Sequence, residues 1–200
     1  KKLPKEISNV NFNGPYVNFF VDKAILAKNV LANVSKKGFG ENVLGKGKTR
    51  LVEYSQPNTH KAFHIGHIRG TSLGESLARI FRASGEKVTQ MNYSGDTGMH
   101  IAKWIWCYKK YHPKEKLKND ESWIAGIYVD AIRRLGDDEK LQEEVDEINQ
   151  KIEGRSDKEI NDLWKKTRVA SIKSWEKIYS ELGAHFDVSL FESEFEEGGR

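Results

Sequence analysis

A chain of 200 residues, 38% hydrophobic and 31% charged, has enough apolar material for an ordinary buried core, which excludes a disordered or fibrous polypeptide. No apolar run approaches the roughly 18 residues of a bilayer crossing, and nothing at Lys1 resembles a signal peptide, so a soluble protein is expected. The single cysteine, Cys107, leaves no internal disulfide framework and fits a reducing cytoplasm, while the net charge of +4 leans weakly toward anionic partners.

Residues 1–45 are polar and rich in Asn and Lys, with a turn at Asn13–Pro15, a short apolar patch "YVNFFV", and then "KAILAKNVLANV". The last places Ile25, Leu26, Val30, Leu31 and Val34 on a helical stripe. This zone is too thin to close a core of its own. It reads as the end of a domain whose beginning is missing.

Residues 46–112 have strand–helix–strand character. Arg50–Tyr54 is a short strand, and the loop "SQPNTHKAFHIGHIRG" follows it. A helix then carries Leu73, Leu77, Ile80 and Phe81 on one face and stops at Ser84–Gly85. "KVTQMNYS" is a second strand, and "GDTG" turns the chain into a helix from Met99 to about Tyr111. In such a unit the special residues sit at the first strand-to-helix turn, beyond the carboxyl end of the strand, where α/β sheets bind nucleotides.

Residues 113–185 are helical and heavily charged, with one stripe of Trp123, Ile127, Ala131 and Leu135. Ser156 with Glu159 forms a capping-box pattern opening a helix of roughly 27 residues, about 40 Å long. Ile160, Leu163, Trp164, Ile172, Trp175, Tyr179 and Leu182 face inward along it, and the tryptophans read as helix-packing core. "HFDVSLFESE" is a further strand, so residues 186–200 return the chain to the sheet.

The loop histidines admit three readings. Spacings of four and three would let His60, His64 and His67 face one way on a helix and hold zinc, but Pro57 and Gly66 argue against continuous helix there. They could also be idle loop residues. The third reading is a phosphate site: "HIGH", His64 to His67, lies where a loop enters a helix, and there backbone N–H groups and the helix dipole favour an anion. Two imidazoles one turn apart add donors, Gly66 lets a flat purine lie on the backbone, and Lys61 adds a full positive charge.

At these residues a family resemblance emerges. "HIGH" after "SQPN" and before a long helix resembles the signature of class I aminoacyl-tRNA synthetases. The blocks "VEYSQPNTHKAFHIGHIRGTSLGESLARIF", "MNYSGDTG" and "LWKKTRVASIKSWEKIYSELGAHFDVSLFESE", in that order over about 50–195, look specifically like an arginyl-tRNA synthetase. The resemblance implies an α/β fold: a Rossmann-like catalytic half, a helical insertion over 113–185, and, in 1–45, the tail of the family's N-terminal tRNA-contacting domain. It implies ligation of L-arginine to tRNA(Arg) through an arginyl-adenylate made from ATP with Mg2+, with no metal held by this chain. A cytoplasmic monomer without membrane contact is expected.

Carried over to this sequence, His64 and His67 steady the ATP phosphates and the transition state, and Gly66 packs under adenine. Glu53, Gln56 and Asn58 hold arginine, with His67 sharing that contact. Lys61 matches a lysine that family members can carry just before the signature. Asp96 is expected to cap the following helix. The family commonly has tryptophan where Thr97 stands, and often glutamine near His100, so residues 97–100 receive no role. The family's later recognition residues, second signature loop and anticodon-binding domain do not follow Arg200. The chain therefore reads as a fragment, expected to be inactive alone. Two other readings remain: another nucleotidyltransferase with the same His–Gly–His turn, and an RNA- or protein-binding module without catalysis.

Overall fold

The computed structural model describes residues 3–136 and 138–195, and it divides into two compact units, Lys1–Leu44 and Gly45–Arg200. In the first unit, β1 (Ile7–Asn13) and β2 (Tyr16–Val21) form an antiparallel hairpin that turns at Gly14, where φ of 58° suits a residue without Cβ. Helix α1 (Lys23–Val34) follows, its N-cap Asp22 accepting from the Ile25 amide. None of its residues is buried, and Leu31 on the expected stripe is 66% exposed.

The second unit contains a parallel sheet of order β3–β4–β5, built from Thr49–Glu53, Lys87–Ser94 and Val188–Phe191. Helix α2 (Ile65–Ala83) crosses from β3 to β4. It packs on the sheet through Thr71, Gly74, Glu75 and Ala78, whereas Leu73 and Ile80 of the expected apolar face are 56% and 58% exposed. The small face wins because the helix must approach closely: a Cβ on Gly74 would stand 2.2 Å from Cγ of Tyr54.

Between β4 and β5 the chain makes α3 (Met99–Tyr111), α4 (Glu121–Leu135), α5 (Glu139–Glu153) and α6 (Lys158–Leu182). Their core centres on α3, where Ile101, Trp104, Ile105, Trp106 and Cys107 are buried against Ile124, Val145, Ile152 and Trp164. Three of the buried indoles donate to an acceptor: Trp104 to Ile124 O, Trp106 to a Glu144 carboxylate and Trp164 to Asp96 O. Helix α6 is capped by Asp157, whose carboxylate accepts from the Ile160 amide, and not by the expected Ser156. Among the described residues no helix is long and apolar enough to cross a membrane.

Candidate functional site

The site is the loop between β3 and α2 together with the first turn of α2. His64 is the N-cap, and its Nδ1 accepts from the Gly66 amide at 3.1 Å. The His64 amide donates in turn to His67 Nδ1 at 3.3 Å, and the two rings stack with centroids 4.0 Å apart. Both imidazoles thus use Nδ1 as an acceptor, which leaves the proton of each neutral ring on Nε2. The result is a pair of N–H donors beside the positive end of a 19-residue helix. Burial and the neighbouring His64 lower the pKa of His67, which favours the neutral, donating form of that ring. Gly66 has a packing role as well: a Cβ there would lie 2.9 Å from Cε1 of His64.

Beside this turn lies an open groove of about 350 Å3, lined on one wall by Glu53, Ser55 and Gln56 and on the other by Gly66, Gly70 and Gly74. Glycines spaced by four leave that wall of α2 flat. Glu53 and Gln56 are exposed, and Gln56 Nε2 donates to Glu53 Oε1 at 2.5 Å. Asn58 forms a parallel bridge with Gly95 after β4, and its Oδ1 would be 2.2 Å from a Cβ at that position. The Thr59 amide also donates to Gly95 O at 2.9 Å. The ends of β3 and β4 are therefore stitched together at Asn58.

Not every expected residue faces the groove. His60 is turned inward, fully buried with its ring edge against Trp104, so the three histidines do not share one face as a zinc site requires. Burial pushes its pKa down to about 3, with His100 nearby adding to the shift. Among the described residues one cluster of three potential ligands occurs, Cys107, His112 and Asp130; there Asp130 already pairs with Arg133 and Arg134. Lys61 is half-buried, its ammonium 5.6 Å from the Tyr128 ring centre.

Asp96 is not a helix cap. The N-cap of α3 is Gly98, and Asp96 is wholly buried. Its carboxylate accepts from Arg168 Nε at 2.5 Å and from the amide and hydroxyl of Ser193 at 2.8 and 2.7 Å. A second polar cluster under the loop escaped the sequence reading. Tyr54 Oη donates to Glu75 Oε2 at 2.8 Å, and Gln90 Nε2 reaches the same oxygen at 2.6 Å. Despite partial burial, hydrogen bonds from Arg79, Tyr54, His185 and Gln90 hold the Glu75 carboxylate down to about 2. A glutamate among Thr71, Gly74 and Ala78 on the small face of α2 was the available signal.

A family model for class I tRNA synthetases (R), catalytic domain, matches residues 27–198. The chain belongs to that family. An arginine–tRNA ligase of Clostridium botulinum is 39% identical over 179 residues, covering 87% of this chain and 31% of that protein. Another, from Halothermothrix orenii, is 37% identical over 189 residues, covering 93% and 33%. The chain thus spans about a third of the length of the curated relatives it matches. Among solved structures, the Thermus thermophilus arginyl-tRNA synthetase is similar over 99% of this chain and 32% of that one, with a TM-score of 0.65 at 24% identity. That likeness shows the fold alone, an α/β arrangement built on a parallel sheet.

Proposed function

We propose that this chain carries the signature half of an active site that joins L-arginine to tRNA(Arg) through an arginyl-adenylate. The observation that carries the reading is the stacked His64–His67 pair at the N-terminus of α2, both rings using Nδ1 as acceptor, in a chain that belongs to this family. In the first step a carboxylate oxygen of arginine attacks the α-phosphorus of ATP, and the bond to pyrophosphate breaks. Charge grows on the phosphate oxygens, and donors already aimed there stabilise it without reorganisation. His64 and His67 supply those donors, Lys61 adds a positive charge, and adenine lies along Gly66. Mg2+ enters with the nucleotide. In the second step a hydroxyl of the terminal ribose of tRNA attacks the carbonyl carbon, and AMP leaves.

Glu53, Gln56 and Asn58 line the arginine side, with His67 within reach of the same ligand. The carboxylate of Glu53 suits an ammonium or a guanidinium group. Residues 1–45 are the end of a tRNA-contacting domain, residues 46–112 and 186–200 belong to the nucleotide-binding sheet, and 113–185 are a helical insertion. The enzyme works as a cytoplasmic monomer.

The test is charging of total tRNA by the full-length gene product, beside His64→Ala and Lys61→Ala. Arginine-only charging is expected, with kcat lowered on the order of 100-fold in the His64 variant, the cost of losing one preorganised donor. A folded, ATP-binding protein that charges no tRNA would overturn the reading and favour another nucleotidyltransferase. Gly95→Ala supplies a finer check: its Cβ displaces Asn58, and the KM for arginine is expected to rise about tenfold, the worth of one hydrogen bond. An unchanged KM removes Asn58 from the arginine contacts.

A further inference from the structure

Three non-glycine residues of the β3–α2 loop lie in the left-handed region, Ser55 at φ 77°, Gln56 at 53° and His60 at 64°. Such a conformation is strained for a residue with a Cβ and persists only where its surroundings over-determine it. For His60 those surroundings come largely from one face of α6. Its amide donates to Ser171 Oγ at 2.9 Å, and its ring Nε2 meets Thr167 Oγ1 at 2.7 Å. The hydroxyl proton of Thr167 is already directed at the carbonyls of Leu163 and Trp164, at 2.9 and 3.0 Å. His60 therefore supplies the proton of its own contact and is held as one tautomer, with Nε2 protonated. The same helix clamps Ser55, whose Oγ lies 2.8 Å from the Tyr179 hydroxyl. Ser55 and His60 bracket Gln56 and Asn58, and His60 precedes His64 by one short stretch of loop.

We propose that His60 is a positioning residue for the signature turn: through Thr167 and Ser171, α6 locks the loop into its left-handed path and so sets where Asn58, Lys61 and His64 stand. The inference rests on the synthetase reading of the site. His60 touches no substrate. It converts the register of α6 against the sheet into the placement of groups that do. A histidine serving only as core filling would meet Trp104 equally well from an ordinary backbone conformation, without a dedicated acceptor for its amide.

The test compares Thr167→Val with Thr167→Ser in the full-length gene product. Valine keeps the shape and removes the acceptor, whereas serine keeps the acceptor. Arginine-dependent exchange of pyrophosphate into ATP, with total tRNA present, is the readout, alongside thermal unfolding. In the valine variant, folded at the assay temperature, kcat is expected to fall on the order of 10- to 100-fold, the range for a reacting group displaced by about 1 Å. The serine variant is expected to stay within threefold of the parent. A valine variant with kcat and KM within twofold of the parent would overturn the proposal, because a merely structural role lowers the unfolding temperature and leaves turnover intact. Should the parent protein show no exchange, the synthetase reading fails first. The ring signals of His60 and His64 in nitrogen NMR then decide separately: a shift of both in Thr167→Val supports the positioning role, and an unmoved His64 refutes it.

Discussion

Arg168→Leu is expected to lower the unfolding free energy by about 3–5 kcal/mol, the range for removing one partner of a buried ion pair. Asp96 has no exposed surface, and its carboxylate receives one charged donor, Arg168, and two neutral ones from Ser193. Deleting the guanidinium leaves a negative charge in the interior with two hydrogen bonds and no counter-charge. It also removes the cation lying 4.0 Å over the Phe191 ring. Urea denaturation of the single variant and of Arg168→Leu/Asp96→Asn separates these effects. The double variant is expected to recover more than half of the loss, because the amide no longer needs a partner cation. If it recovers nothing, the damage lies in lost packing around Phe191 and not in the orphaned charge.

Gly74→Ala is expected to cost about 3 kcal/mol, the upper part of the range for overpacking a core position. A Cβ at this site would meet Cγ, Cβ and Cδ1 of Tyr54 at 2.2, 2.4 and 2.7 Å, and none of these is the free end of a flexible chain. Tyr54 has little room to retreat, since its hydroxyl is held by Glu75, Gln90 and the His185 carbonyl. Gly70→Ala is the matched control: nothing stands within 4 Å of its added methyl, so helix propensity alone predicts a gain of about 1 kcal/mol. Equal effects in the two variants would show that α2 can slide on the sheet.

The regular elements of the second unit were largely legible in the sequence. The strand Lys87–Ser94 and the helix Met99–Tyr111 are found where "KVTQMNYS" and the turn at "GDTG" put them, because alternation and glycine punctuation are local signals. Helix α5 was covered only by the general reading of 113–185 as helical, and its bounds were not marked although Leu141, Val145, Ile148 and Ile152 repeat at helical spacing; the charged residues between them mask the stripe. The order of the site was harder to read. "HIGH" identified the turn, but the tautomers of His64 and His67 depend on hydrogen bonds that exist only once α2 has formed. Asp96 was misread for a related reason. Capping chemistry is visible within a few residues, whereas its real partners, Arg168 and Ser193, lie 72 and 97 positions away. The inward turn of His60 had no local signal, since its acceptors stand more than 100 residues further along the chain.

Those separations bear on how the molecule is made. Closing a long loop must be offset by the contacts it brings, so non-local pairings tend to form late. The bonds that hold Ser55, His60 and Asp96 in place join residues 124, 111 and 72 positions apart, and all of them need α6. As the chain leaves the ribosome, β3, α2 and β4 emerge well before the helix that trues their connecting loop. The geometry of the β3–α2 loop is therefore completed only once α6 has packed. A growing chain does not hold the β3–α2 loop in its final path until its helical segment has packed.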